Sequence, residues 1–319
     1  MIRMSHSALE RSFLQSVLYA ALFNYPLSSA QLCEALIGAT ADESALTACF
    51  AQSPMLQAAI EHADGFYFPR GRRDLLTTRT RREAASRSLL ARLHGLQLLV
   101  QYMPFVRMVA LSGSLAHLNA DEEADLDLFV IVAPGRVWSV TLTTLLAARL
   151  LGWRRWLCLN YVVSERALMV GPADLFSANQ IIHLQPITGI ESYRRFLDAN
   201  RFVERFYPNF RPRRQVVSRS AGSRFLRGVK RVIELALNVG IAPVYERICR
   251  MVYGRHLRRQ AHTWQSRDQV RLERECLKLH TSSHRREVME RFEEALERAV
   301  AIPESRDGHA DRALFAAIS

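Results

Sequence analysis

The sequence contains no Cys-x-x-Cys pair, and its five cysteines, Cys33, Cys49, Cys158, Cys249 and Cys276, are scattered and odd in number. A zinc ribbon and a disulfide framework are therefore not what organises the chain. Apolar runs long enough to cross a bilayer are missing too. The longest, around Val137 to Trp153, falls short of the roughly 20 residues a spanning helix needs and is broken by Arg149. No basic-then-apolar leader stands at the N-terminus, so a cytoplasmic location without stable membrane insertion is expected, with peripheral membrane contact left open. Repeats and low-complexity segments are absent. Lysine is almost absent, at Lys230 and Lys278, so positive charge is arginine charge.

What is present is a globular composition, with 49% hydrophobic and 23% charged residues over 319 positions. That length accommodates two or three domains. The formal charge of +12, carried by planar guanidinium groups, suits bidentate contact with phosphate or carboxylate. A polyanionic partner, RNA or DNA, fits this balance. Arginines that merely solvate helix surfaces fit it equally.

Apolar residues recur at helical spacing from Leu9 to Phe23, where Tyr25-Pro26 stops the helix. A second helix is expected behind Ser28 and a third from Asp42 to Gln52. Leu56 to Ile60, a turn at Asp64-Gly65 and Phe66 to Phe68 then read as a hairpin. Three helices followed by a hairpin resemble a winged helix-turn-helix, expected over residues 1–78. A DNA-reading third helix presents basic or amide side chains to the major groove. This one offers Asp42, Glu43, Thr47 and Gln52, which favours packing or protein contact. The basic run Arg70, Arg72, Arg73, Arg79, Arg81 and Arg82 follows, placed either to meet phosphates or to begin a solvated helix.

A helix from about Arg79 to Met103 leads into an apolar strand, Val106 to Leu111. Leu128 to Val132 reads as a second strand, Val137 to Leu151 as a helix and Leu157 to Val163 as a third strand. This mixed order predicts an α+β fold, a small sheet covered by helices. Beyond Pro172 the pattern predicts helices near 174–184, 192–206, 223–238, 244–260 and 265–300, hence a helical part over 173–302, and a loose tail over 303–319.

Chemistry concentrates in Leu111-Ser112-Gly113-Ser114, ten loop residues, then Asp125-Leu126-Asp127-Leu128. Aspartates two apart on a strand share a face, so Asp125 and Asp127 are placed to share a metal while Leu126 and Leu128 enter the core. A Gly-Ser turn brings backbone amides and a hydroxyl close to phosphate oxygens with no Cβ in the way. Phosphoryl transfer needs this pairing of a phosphate cradle with carboxylate-held Mg²⁺.

Gly-Ser followed at this distance by Asp-x-Asp, both at strand ends, resembles the signature of the DNA polymerase beta nucleotidyltransferase superfamily. The resemblance implies a polymerase-beta-like sheet over 79–172, triphosphate held by Gly113 and Ser114, and Mg²⁺ or Mn²⁺ held by Asp125 and Asp127. It also implies a third acidic residue from a later strand. Asn160 stands at that place, able to accept a metal contact but a poor general base, and Glu165 is the nearest acidic substitute. More widely, Phe23 to Leu27, Asp64 to Tyr67, Pro104 to Arg107, Leu159 to Tyr161, His280 and Arg285-Arg286 resemble bacterial proteins described as nucleotidyltransferase domain-containing.

The expected reaction moves a nucleoside monophosphate from a nucleoside triphosphate to an acceptor hydroxyl. The rival expectations are a nucleotide-binding regulator that has lost transfer, supported by Asn160, and an RNA-modifying transferase, supported by the basic helices. His117 after the Gly-Ser turn, Asp174 and the Asp121-Glu122-Glu123 loop read as incidental, a helix cap and solvated charges. Asn200 and Asn209 read as braces at a domain junction. Arg211 to Arg231 holds eight basic residues and no acid, a stretch suited to RNA, DNA or an anionic membrane face.

Overall fold

Polar caps and tight turns shape the opening segment of the computed structural model, which describes residues 6–213, 224–238, 240–266, 270–279 and 285–301. Helix α1 (His6–Ala21) buries Phe13, Val17 and Leu18. It ends where Asn24 turns left-handed ahead of Pro26, and β1 (Leu27–Ser28) follows. Ser28 caps α2 (Ser29–Glu34) in a capping box closed by Gln31. Asp42 caps α3 (Glu43–Gln52), and Ser53 caps α4 (Pro54–Ala59).

Leu56 to Ala59, expected at the start of a hairpin arm, is thus helical, because Pro54 behind a serine cap starts a helix readily. The hairpin is β2 (Ile60–Ala63) and β3 (Phe66–Pro69), joined at Asp64-Gly65 with φ of 52° and 80°. Two left-handed residues are what a two-residue hairpin turn requires. β1 pairs with β3 to complete a three-stranded sheet.

The helix expected from Arg79 to Met103 begins earlier and is broken: α5 (Asp74–Arg92) and α6 (His94–Tyr102) meet at Leu93. Gly95 beside the break lies against the Trp153 ring, where a Cβ would come within 3.1 Å. Then follow β4 (Val106–Leu111), α7 (Gly113–Ala116), β5 (Leu126–Val132), α8 (Val137–Leu150), β6 (Leu157–Ser164), α9 (Leu175–Ile182), β7 (Gln185–Thr188), α10 (Ile190–Ala199) and α11 (Val203–Phe206). The remaining elements are α12 (Arg224–Asn238), α13 (Ile241–Arg259), β8 (Val270–Leu272), β9 (Cys276–Leu279) and α14 (Arg285–Ala301). The fold is α+β.

A six-stranded mixed sheet, ordered β7-β4-β5-β6-β9-β8, lies at the centre. Its parallel pair is β5 with β6. Three of its strands come from the stretch beyond Pro172 that the sequence pattern reads as predominantly helical, β7 from the gap between two expected helices and β8 and β9 from within the expected 265–300 helix. β7 carries Pro186, a residue tolerated on an edge strand. β8 and β9 are short and sit among Arg and Glu residues that imitate a salt-bridged helix, so the helix expected over 265–300 is here a hairpin followed by α14. Residues 303–319 and His280 lie outside the described residues, as does 214–223 of the basic stretch.

Alternation along β5 sends Leu126, Leu128, Val130 and Val132 into one core, and Phe129 and Ile131 into another. The first core is closed by α5, α6, α8 and α13. The second is continuous with the interior of residues 6–69 and with α9, α10 and α14; Tyr19 of α1 meets Phe292 of α14 edge to face, centroids 5.0 Å apart. Asn200 and Asn209 brace this side. Asn200 accepts from Val170 N at 2.9 Å and donates to the carbonyls of Leu168 and Phe196, while Asn209 donates to the carbonyls of Cys33 and Ala41.

Candidate functional site

β4 and β5 are antiparallel, and β6 runs parallel to β5, so the end of β4 and the starts of β5 and β6 lie at one edge of the sheet. The Gly-Ser turn leaves β4 there. Ser112 N donates to Asp127 O at 2.9 Å, which holds the turn against the aspartate strand. Gly113 has φ +63°, and a Cβ placed on it would stand 2.3 Å from Asp127 Oδ2. Glycine is therefore needed twice, for the left-handed backbone and for the approach of the carboxylate.

Asp127 lies on the β5 face that carries Phe129 and Ile131, and Asp125 is exposed just before the strand. The β5–β6 ladder slips here: Asp127 pairs with Cys158, but Phe129 pairs with Tyr161. One extra residue on β6 makes a bulge, a device that re-aims a side chain. It brings Asn160 to Asp127, and Asn160 Nδ2 donates to Asp127 Oδ1. Cys158 Sγ donates in turn to Asn160 Oδ1 at 2.8 Å. Burial pushes the Cys158 thiol up to about 12, which keeps it protonated as a donor. Burial also raises the Asp127 carboxyl to about 6, with the Asp125 charge adding to the rise and the Cys158 and Asn160 hydrogen bonds opposing it.

Glu165 does not join the site. Its backbone N donates to Val132 O at the far end of β5, five residues or about 16 Å along the strand from Asp127, and its carboxylate pairs with Arg195. Asp174 caps α9 by accepting from Ser177 N at 2.9 Å, and also pairs with Arg285. Asp121 takes Arg82 in a two-pronged contact at 3.2 Å.

The basic run after the hairpin is engaged within the fold. Arg70 donates to Gln57 O, Arg72 pairs with Asp74, and Arg73 with Glu61. Arg79 is buried among Pro26 O, Gln31 and Glu83, its guanidinium 4.6 Å from the Tyr25 ring centroid. Arg107, ahead of the turn, pairs with Glu234 at 3.0 Å.

A cavity of about 920 Å³ opens from this edge, between the sheet, α1 and α9. Ser112, Gly113, Ser114, Asp127 and Asn160 form its polar end, and Tyr19, Phe23, Phe129, Tyr161 and Phe176 its aromatic wall. Tyr19 Oη and His117 Nδ1 are buried there without a hydrogen-bond partner. Burial holds His117 well below the ordinary imidazole value, with the neighbouring His183 acting the same way; the two rings are 4.8 Å apart. His183 is likewise lowered by burial, and its Nδ1 lies 2.8 Å from Asn179 O. His117, which reads as incidental in the sequence, is thus a neutral ring lining the cavity. Tyr19 and Tyr161 give no sequence signal, since aromatics at helix and strand spacing read as core.

Asp125 and Asp127 are the residues here that could hold a cation. Asp127 Oδ2 faces the Gly113 turn while Oδ1 is pinned by Asn160, and a raised carboxyl beside a second carboxylate is what a cation relieves. Mg²⁺ takes one or two carboxylates and completes its shell with water and substrate phosphate. Among the described residues no group of three His, Cys, Asp or Glu side chains converges on a metal position, in keeping with an amide at Asn160.

No family model, curated protein or solved structure matches this chain.

Proposed function

We propose that the chain binds a nucleoside triphosphate with Mg²⁺ at the Gly113–Asp127 edge and transfers its nucleoside monophosphate to an acceptor hydroxyl, releasing pyrophosphate. The observation that carries the reading is the contact between turn and carboxylate. The left-handed Gly113 sets the Gly-Ser turn directly against the Asp127 carboxylate, and a Gly-Ser turn beside a carboxylate is the pairing that a phosphate and its cation use. Mg²⁺, when bound by Asp125 and Asp127, supplies charge neutralisation at the phosphates. The turn orients the triphosphate. Asn160, backed by Cys158, positions Asp127 and takes no proton itself. His117, neutral and unpartnered at Nδ1, lines the same cavity. The central strands fit a polymerase-beta-like sheet and residues 6–69 a winged-helix-like unit. That unit serves as the cavity's roof through Tyr19, Phe23 and Tyr25.

A second reading, a nucleotide-binding regulator without transfer, is favoured by the amide at Asn160 where the resemblance leads one to look for a carboxylate. Incubation with α-phosphate-labelled triphosphates, Mg²⁺ and separate small-molecule and RNA fractions distinguishes the two. Transfer expects label in a new species with release of pyrophosphate, lost in Asp125→Asn and Asp127→Asn. Bound but untransferred nucleotide favours the regulator, and label in the RNA fraction an RNA-modifying transferase.

A further inference from the structure

Helix α12 turns two of its charged side chains, Lys230 and Glu234, inward and its apolar side to water. Lys230 Nζ donates to the carbonyls of Gln101 and Val106 at 3.1 and 2.7 Å, and Glu234 accepts from Phe105 N while pairing with Arg107. Phe225, Val232 and Leu235, on the outward arc, are 75%, 66% and 70% exposed. α13 repeats the arrangement. Its Glu246 is buried, accepting from Trp138 N at 3.0 Å and Ser139 N at 2.7 Å, while Ile241, Val244 and Met251 stand more than half exposed. A helix that ends at a water boundary carries the opposite pattern, with apolar residues inward. α12 packs on α13 and α13 on α8, whose Leu150 is 88% exposed. Exposed apolar side chains thus gather on the outer faces of two helices packed together, α12 and α13, and are not single scattered residues.

Charge identifies the occupant. From Arg224 to Arg259 there are nine basic residues and two acidic ones. Both acids, Glu234 and Glu246, are spent on inward contacts. What remains outside is apolar side chains flanked by arginine. In a two-fold contact between copies, the same arginines meet each other with no carboxylate to separate them.

We propose that the outer face of α12 and α13 seats on an anionic bilayer surface. Its apolar side chains enter the boundary between headgroups and acyl chains, and Arg227, Arg231 and Arg247 lie at the lipid phosphates. The binding is peripheral: no described helix is long and apolar enough to cross a membrane. Ala242, Cys249 and Leu257 of α13 pack in the core on the sheet face opposite to Phe129, so the cavity beside Asp127 faces away from the lipid and stays open to solvent. The inference is independent of the nucleotide chemistry.

Flotation of the full chain with vesicles of phosphatidylcholine, alone or with roughly one-third phosphatidylglycerol, tests it. Wild type is expected to float with the anionic vesicles and not the neutral ones, and binding is expected to weaken as salt rises. Arg227→Ala with Arg231→Ala is expected to weaken binding roughly 25-fold, at about fivefold per arginine. Val232→Glu with Val244→Glu, both at exposed positions, is expected to abolish binding while circular dichroism and melting remain those of wild type. Equal flotation by that variant, no flotation by wild type, or a stable dimer that the variant converts to monomer, each overturns the proposal.

Discussion

Replacing Asp127 by Asn is expected to stabilise the metal-free fold while removing nucleotide binding. Burial and the Asp125 charge raise the Asp127 carboxyl from 3.8 to about 6. Because the folded value lies above the unfolded one, the folded state favours the protonated form. The cost of ionising Asp127 is absent below about pH 4, grows between pH 4 and 6, and is complete above pH 6. Two units correspond to about 3 kcal/mol. An Asn amide is nearly isosteric and still offers an oxygen to Asn160 Nδ2, so the variant avoids this cost without opening a hole. We expect Asp127→Asn in EDTA to melt about 5 °C above wild type at pH 8, with the difference shrinking towards zero at pH 4. Melting followed by circular dichroism across that range provides the assay. Mg²⁺ with a nucleoside triphosphate is expected to raise the wild-type melting point and leave the variant's unchanged. A variant that melts at or below wild type at pH 8, or a difference that does not depend on pH, refutes the reasoning.

Gly113→Ala forces a Cβ to within 2.3 Å of Asp127 Oδ2 at a positive φ, so nucleotide affinity is expected to fall at least about tenfold, measured by equilibrium dialysis. Glu246→Ala leaves the amides of Trp138 and Ser139 without their acceptor and the Ser139 hydroxyl with only the Arg136 carbonyl. A loss of about 3 kcal/mol in urea unfolding is expected, and a loss under about 1 kcal/mol contradicts the role assigned to this carboxylate.

The site was legible where chemistry depends on residue type and short spacing. Gly113, Ser114, Asp125 and Asp127 stand out because glycine at a strand end and alternating aspartates have few uses in a core. Asn160 drew notice only through the resemblance; the bulge that brings it to Asp127 depends on the register of two strands far apart in sequence. Glu165 looked close because it follows β6 by one residue, yet a strand carries its far end away from the site. In the fold, the caps Ser28 and Asp174 were readable because a side-chain oxygen bonds a backbone amide three residues on. β7, β8 and β9 were not, since strands of three or four residues show no periodicity and form by pairing with distant partners. The inverted faces of α12 and α13 were also hidden. Helical spacing reveals an apolar stripe but not which side of it the inward contacts of Lys230, Glu234 and Glu246 anchor to the protein.

Calorimetric titration of each nucleoside triphosphate into the protein, with and without Mg²⁺, beside the Asp125→Asn, Asp127→Asn double variant, tests the central claim most directly. Binding that requires Mg²⁺ and disappears in the double variant is the expected result. No binding by wild type, or binding that survives in the variant, contradicts a triphosphate site built on Gly113, Ser114 and the two aspartates.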